Sequence, residues 1–320
     1  MFSDILKSNK CFKLVCGAGN EDIEEVEKLV YLYSKAGCNI FDLSANKDVI
    51  QAAKRGLKRS GITEDRYLCV SLGIAGDPHI NKAEINENKC TKCDRCKNIC
   101  PQSAITEDAR SNYVKSKRCI GCGRCEKVCP HNAITMYSKE LDLKEVLPDI
   151  IKENIDCIEL HALIENDIEV MDKWQLLNDM YDGFLSICID RSKLSNEHLI
   201  KRLKQMLEIR KPYTTIIQAD GAPMSGGKDD YKTTLQAVAT AELVQDEDLP
   251  AFILLSGGTN SKTAELAKLC NIKASGVAIG SYARKIVKEY INRNDFYDNK
   301  EILNTAINVA KHLVDCSIFN

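Results

Sequence analysis

Residues 12–43, FKLVCGAGNEDIEEVEKLVYLYSKAGCNIFDL, contain one full period of this chain's architecture. FKLVC (12–16) is a short apolar run ending in Gly17, Ala18 and Gly19. Ile23, Val26, Leu29, Val30 and Tyr33 then recur at helical spacing until Gly37 closes the stretch. NIFDL (39–43) is a second apolar run. A strand, a helix and a strand in this order are the unit from which parallel α/β folds are built.

The same rhythm continues outward. A helix is predicted over about 47–58, ended by Gly61, and a third strand over 67–72 (YLCVSL). After an interruption come a helix over 143–153, a strand over 155–160, a helix over 170–180 and a strand over 184–189. Ser195 is expected to cap a helix running to about 210, followed by a strand over 213–218 and a helix over 231–244. A strand over 251–255, a short helix from a Ser261 cap to 269, a strand over 275–279 and a terminal helix over 300–314 complete the series. Eight short apolar strands alternating with helices predict a (β/α)8 barrel of the TIM type. An open doubly wound sheet is the alternative, because alternation alone does not prove closure.

The interruption, residues 78–137, has few large apolar residues and carries two cysteine runs. Cys90, Cys93, Cys96 and Cys100 precede Pro101, and Cys119, Cys122, Cys125 and Cys129 precede Pro130. Each run reads C-x2-C-x2-C-x3-C-P, the pattern of bacterial ferredoxins holding two [4Fe–4S] clusters. In that pattern the fourth cysteine of each run serves the other cluster. One ligand set is then Cys90, Cys93, Cys96 and Cys129, and the other is Cys119, Cys122, Cys125 and Cys100. A structural zinc site needs only four ligands, so eight cysteines in duplicate fit it badly. Disulfides need an oxidising compartment, and nothing here looks secreted. The segment is expected to be a small ferredoxin-like α+β insert (78–137) in a barrel made of 1–77 and 138–320. It should depend on its clusters for stability. Following the third strand, it lies at the face where barrel active sites form.

Composition narrows the function. The chain has 320 residues, 44% of them hydrophobic, and a net charge of −2, so no basic surface points to nucleic acid. No apolar run reaches the length of a membrane span, and the first ten residues do not form a secretory signal. Sixteen cysteines without such a signal imply a reducing interior, and the expected location is the cytoplasm. Eight cysteines lie outside the runs (Cys11, Cys16, Cys38, Cys69, Cys157, Cys188, Cys270 and Cys316) and read as small buried hydrophobes.

In a barrel, residues at the carboxyl ends of strands converge on one pocket. Here they are Cys16, Asp42, Ser71, Glu159, His161, Asp190, Gln218, Asp220, Ser256 and Thr259. Unpaired charge is costly to bury, so Glu159, His161, Asp190 and Asp220 are the candidate catalytic residues. The plainer readings are helix caps for Asp42 and Asp190 and a satisfied core histidine for His161. Gly257, Gly258 and Thr259 after the seventh strand, with Gly280, Ser281 and Arg284 after the eighth, match the place where such barrels bind phosphate. Flavin mononucleotide or a phosphorylated metabolite suits these residues; tight turns are the alternative. The segment 218–227, QADGAPMSGG, reads as a glycine-rich lid or ligand-gripping loop.

Several of these stretches also resemble one family. They are residues 12–50, Asp77-Pro78-His79 ahead of the cysteines, QADGAPMSGG, SGGTN (256–260) and GVAIGSYAR (276–284). Together they resemble the light-dependent period (LdpA) iron–sulfur protein family over nearly the whole chain. Members of that family are associated with redox sensing that feeds into circadian timing; what the resemblance implies for this chain is cluster binding by the eight cysteines and a redox role. From the residues themselves the expectation is a redox protein. Its clusters pass single electrons between a partner protein, or a small-molecule donor or acceptor, and a site in the barrel. That site belongs to an oxidoreductase, to a sensor, or to a carrier whose barrel only docks. Lys92, Arg95, Lys97, Lys117, Arg118 and Arg124 around the cysteines would attract an acidic donor, or form an ordinary solvated surface.

Overall fold

The structure, a computed structural model, describes residues 1–221 and 228–319, with Pro78 described in its backbone only. The chain opens with α1 (Phe2–Lys7), β1 (Cys11–Val15), α2 (Ile23–Ala36), β2 (Ile40–Ser44), α3 (Lys47–Ser60) and β3 (Tyr67–Leu72). It then leaves the barrel through β4 (Asn81–Ile85), α4 (Arg95–Ile99), β5 (Ile105–Glu107), β6 (Asn112–Val114), α5 (Arg124–Lys127) and β7 (Ile134–Ser138). It returns as α6 (Leu143–Lys152), β8 (Cys157–His161), α7 (Asp167–Met180), β9 (Phe184–Ile189), α8 (Asn196–Glu208), β10 (Thr215–Asp220) and α9 (Tyr231–Gln245). The last elements are β11 (Phe252–Ser256), α10 (Thr263–Leu269), β12 (Gly276–Ile279), α11 (Ser281–Ile291) and α12 (Lys300–Cys316).

Strands β1, β2, β3, β8, β9, β10, β11 and β12 form a closed parallel barrel in that order. Closure is the pairing of β1 with β12, from Cys11 opposite Gly276 to Leu14 opposite Ile279. This rules out the open sheet. Gly276 is required at that seam, because a Cβ there would lie 1.8 Å from the Cys11 carbonyl oxygen.

Alternation along each strand builds two separate cores. Phe12, Leu14, Phe41, Leu43, Val70, Ile158, Leu160 and Ile187 face the helices. The other face points into the barrel. Its lowest layer is apolar: Cys11, Ile40, Cys69, Cys157, Ile216, Phe252 and Leu254 pack under Phe2 and Leu6 of α1. The short α1 thus plugs the amino-terminal end, an element with no sequence signal strong enough to predict. The next layer up is polar and carries Lys13, Asp42, Ser71, Glu159, Ser186 and Gln218, all buried. Outside the barrel, β4 pairs antiparallel with β7 and β5 with β6.

Several local expectations need correction. Ser261 does not cap α10; Lys262 holds that position without a side-chain bond, and Ser261 Oγ donates to Asp229 Oδ1 at 2.7 Å. Gln218 ends the expected strand, but Ala219 and Asp220 also belong to β10 rather than to a loop, and residues 222–227 of the expected lid lie outside the described residues. Ser195 does cap α8, its Oγ accepting from His198 N at 3.2 Å. Ser195→Ala is expected to cost about 1 kcal/mol, read as a lower denaturation midpoint with no change in bound iron.

Candidate redox site

The two cysteine loops are copies of one conformation. Lys92 and Asp94 in the first, and Gly121 and Gly123 in the second, occupy matching positions with φ of 54°, 59°, 72° and 67°. These left-handed residues turn each C-x2-C-x2-C segment inward, so that three thiols face one centre. The segments that follow also repeat, CPQSAIT (100–106) and CPHNAIT (129–135). Their function is visible in the bonds: Ala104 N donates to Cys100 Sγ and Ala133 N to Cys129 Sγ, both at 3.3 Å. Ala83 N donates to Cys119 Sγ at 3.4 Å, and Asn112 Nδ2 to Cys96 Sγ at 3.7 Å. Donors aimed at sulfur favour the thiolate that iron requires.

Cys100, Cys119, Cys122 and Cys125 line one cavity, closed by Ala83, Ala104, Ile105 and Met136. The fourth thiol of the first run therefore stands with three thiols of the second. Burial, and then the neighbouring Cys122 and Cys119, push the Cys125 thiol up to about 12. In the other loop burial raises Cys96, and Cys90 adds to the rise. Thiols crowded around an apolar cavity are the donor set a [4Fe–4S] group takes. Three of the six candidate basic residues are engaged locally: Lys92 Nζ donates to Asp108 O at 2.8 Å, Lys97 pairs with Glu107 at 3.3 Å, and Arg118 pairs with Asp22.

The insert closes over the carboxyl end of the barrel. Ile120, next to Cys119, lines the barrel pocket together with Gly17, Ala18 and Gly19. Gly19 is packed so tightly that an added Cβ would meet His79 O at 3.0 Å and Cys119 O at 3.3 Å. Lys82, 2% exposed, bolts the joint. Its Nζ donates to Gly19 O at 2.6 Å, Cys119 O at 2.8 Å and Ser116 O at 3.0 Å. Lys288 Nζ reaches Pro101 O at 3.2 Å. Lys82→Met leaves three carbonyls without this donor; the expected result is faster proteolysis at 116–120 and a destabilisation of about 1–3 kcal/mol.

Below the insert a chain of polar contacts runs through the barrel. Lys13 Nζ donates to Glu159 Oε2 at 2.6 Å and Gln218 Oε1 at 2.7 Å, and lies 3.5 Å from Asp42 Oδ2. Glu159 also accepts from Ser186 Oγ at 2.7 Å, Gln218 Nε2 at 3.1 Å and Ser71 Oγ at 3.2 Å. His161 Nε2 stands 3.6 Å from Glu159 Oε1, and its Nδ1 is 2.7 Å from Asp77 Oδ2. The other Asp77 oxygen, Oδ1, is 2.8 Å from His79 Nδ1. The two imidazoles meet edge to face, 4.7 Å apart.

Charge states follow from this pairing. Burial opposes the Lys13 ammonium, but Asp42, Cys69 and Glu159 outweigh it and raise its pKa well above the usual value. Burial likewise opposes the Glu159 and Asp77 carboxylates; Lys13 with His161 in one case, and His161 with His79 in the other, hold them well below the usual range. His161 is raised despite burial by Asp77 and Glu159. Asp42 and Asp220 move up, chiefly through burial. Asp220 Oδ1 has no hydrogen-bond partner among the described residues.

Glu159, His161 and Asp220 come together in the pocket, with His79, Cys188, Gln218 and Ser256. Asp190 does not: it lies beyond β9, where Oδ1 accepts from Ser192 N at 2.9 Å and Ser192 Oγ at 2.6 Å. It shapes a turn and does not cap α8, while Asp42 bonds Ser71 and caps nothing. Gly257, Gly258, Thr259, Gly280, Ser281 and Arg284 all line the pocket. Gly257 and Gly258 have φ of 69° and 81°, so the turn itself needs glycine. Arg284 is largely committed: Nη1 donates to Val15 O, and Nη2 and Nε lie 3.0 and 3.2 Å from the Gln102 side-chain amide, its oxygen turned towards them. Thr259 Oγ1 donates to Ala278 O. The cavity holds about 80 Å³, far below the roughly 300–1,000 Å³ that encloses a drug-sized ligand. That volume suits a phosphate group or a small molecule.

Lys13, Asp77, His79 and Lys82 were missed as site residues. Lys13 had a signal: a lone lysine inside the apolar run FKLVC, in phase with Cys11.

Residues 149–316 match the family model "Light dependent period A C-terminal domain", and residues 83–136 match "4Fe-4S dicluster domain". Light dependent period A of Synechococcus elongatus is 31% identical over 332 residues, covering 97% of this chain and 92% of that protein. Among solved structures, a truncated 3-deoxy-D-arabino-heptulosonate 7-phosphate synthase from Thermotoga maritima is similar over 94% of this chain and 87% of its own, with 11% identity and a TM-score of 0.45. The YdjI aldolase of Escherichia coli K12 is similar over 97% and 91%, with 6% identity and a TM-score of 0.47. No helix among the described residues is long and apolar enough to cross a membrane. The chain is an iron–sulfur protein with a 4Fe–4S dicluster domain, and it belongs to the light dependent period A family.

Proposed function

We propose that this protein holds two [4Fe–4S] clusters and couples their redox state to a small ligand in the barrel mouth. Cys100, Cys119, Cys122 and Cys125 hold the group beside the barrel; Cys90, Cys93, Cys96 and Cys129 hold the other. When bound, such groups exchange single electrons. The observation that carries the reading is Ile120: the residue after a cluster cysteine is also a wall of the barrel pocket. Lys82 fixes that wall, so a change at the thiolates is felt in the pocket and occupancy of the pocket is felt at the thiolates. The outer loop, where Cys93 is exposed, faces a redox partner protein or a small electron donor or acceptor. Redox sensing needs no more than a difference in ligand affinity between the two oxidation states.

A second reading is favoured by the convergence of Gly257, Gly258, Gly280 and Ser281 on the same pocket. Here the ligand carries a phosphate, and the protein is a cluster-dependent oxidoreductase with Glu159, His161 and Asp220 as its acid–base groups. Anaerobic isolation followed by iron, sulfide and small-molecule analysis separates the readings. About eight iron per chain supports the two-cluster assignment. A reduced or oxidised product from a released phosphate ester favours the enzyme, and ligand-dependent cluster potentials without turnover favour the sensor. Iron near zero contradicts both.

A further inference from the structure

We propose that the barrel mouth is also a mononuclear site for a divalent transition metal, held by His161, Glu159 and Cys188 and separate from the eight cluster cysteines. These three side chains are fully or almost fully buried and line the pocket. One donor atom from each lies within 4.8 Å of the others. Glu159 and His161 sit two residues apart on β8 and point inward together; Cys188 is the register partner of His161 on β9. The barrel therefore fixes all three with strand backbone rather than loops.

The spacing suits a tetrahedral ion. Bonds of about 2.0–2.2 Å to nitrogen and oxygen at a tetrahedral angle separate those atoms by roughly 3.3–3.6 Å. His161 Nε2 and Glu159 Oε1 are 3.6 Å apart, too far for a hydrogen bond between them. The other ring nitrogen supplies a second, independent argument. Nδ1 lies 2.7 Å from an Asp77 oxygen, and a carboxylate can only accept there. Nδ1 therefore keeps its proton, and Nε2, which faces Glu159 and Cys188, is the nitrogen that would release its proton to take the ion. A carboxylate that locks a histidine in this tautomer is the usual support for a metal ligand. No lysine or arginine pairs with Asp77 among the described residues, so its charge has only the imidazoles to answer it. His79 hangs from the same carboxylate at the rim of the pocket. One thiolate, one imidazole and one carboxylate suit zinc best, leaving the fourth position open towards the cavity. Such an ion would give a phosphate or other small oxyanion its binding contact, a role Arg284 cannot fully take because its guanidinium already serves Val15 and Gln102.

The test uses the full chain with its clusters in place. Anaerobically isolated protein is equilibrated with Zn²⁺, desalted, and assayed for zinc and iron. About one zinc per chain above the iron content is expected, with zinc absorption-edge spectra showing one sulfur at about 2.3 Å. Cys188→Ala and His161→Ala should each lose the zinc and keep the iron. Asp77→Asn should weaken zinc binding by roughly 10–100-fold. Cys122→Ala should lose iron and keep the zinc, which separates this site from the clusters. Circular dichroism and the thermal midpoint report barrel folding in these variants, so a misfolded protein is not mistaken for a lost site. Wild-type protein that retains no zinc at full iron content would overturn the proposal. So would zinc held equally by Cys188→Ala and His161→Ala.

Discussion

Cys100→Ala is expected to remove the iron beside the barrel, not the iron held by the run in which Cys100 lies. Iron should fall from about eight towards about four per chain. The lost signal in low-temperature magnetic resonance should be the one lost in Cys122→Ala, while Cys129→Ala should match Cys93→Ala. The reason is spatial: Cys100 stands on the cavity of Cys119, Cys122 and Cys125. The insert should also loosen. Its buried core consists of Ala83, Cys96, Ala104, Ile105, Cys119, Cys125 and Ile134, so three of seven members are cysteines and two are alanines. That little apolar surface cannot hold four short strands by itself, and metal binding is then folding energy. Cys100→Ala should be cut by protease within 81–138 well before the barrel is touched. A variant that pairs spectroscopically with Cys93→Ala would mean that each run serves its own cluster.

Lys13→Met should be the most damaging single change inside the barrel. Lys13 is 2% exposed and holds Glu159, Gln218 and Asp42 at once. Methionine matches its length but leaves a buried carboxylate without its counter-charge. Breaking a buried pair from one side costs about 3–5 kcal/mol. The expected result is a thermal midpoint lower by several degrees, with iron content preserved, because the cluster loops lie outside the barrel. Adding Glu159→Gln should recover part of the loss, since a neutral amide no longer needs the ammonium. An unchanged midpoint in Lys13→Met would show that the layer is solvated rather than sealed.

The sequence exposed the barrel because its two faces obey different rules. Outward positions such as Phe41, Leu43, Ile158 and Leu160 are apolar, with Thr215 of β10 the exception, and the helices between them have clear caps and periodicity. Strand ends were less legible. β10 starts at Thr215 and runs through Asp220, two residues beyond its expected span, because polar Asp220 reads as loop although it faces a polar interior. The same ambiguity made Asp190 a candidate and hid Lys13: periodicity says which residues share a face, not whether that face is wet. The cluster ligands were plain from spacing alone. Asp77 and His79 were not, since their role depends on a turn after β3 that brings them back onto β8, a contact 84 residues long in sequence for Asp77 and His161. The joint made by Lys82 was equally hidden, because its partners are backbone carbonyls, which no side-chain pattern reveals.

Coupling between the two parts requires that a cluster held jointly by both cysteine runs adjoin the barrel pocket at Ile120. Anomalous diffraction at the iron edge, from crystals grown without oxygen, tests it most directly. Two peaks are predicted: one among Cys100, Cys119, Cys122 and Cys125 and against Ile120, the other among Cys90, Cys93, Cys96 and Cys129. A single peak, or peaks that each lie within one run and away from the barrel mouth, would contradict it.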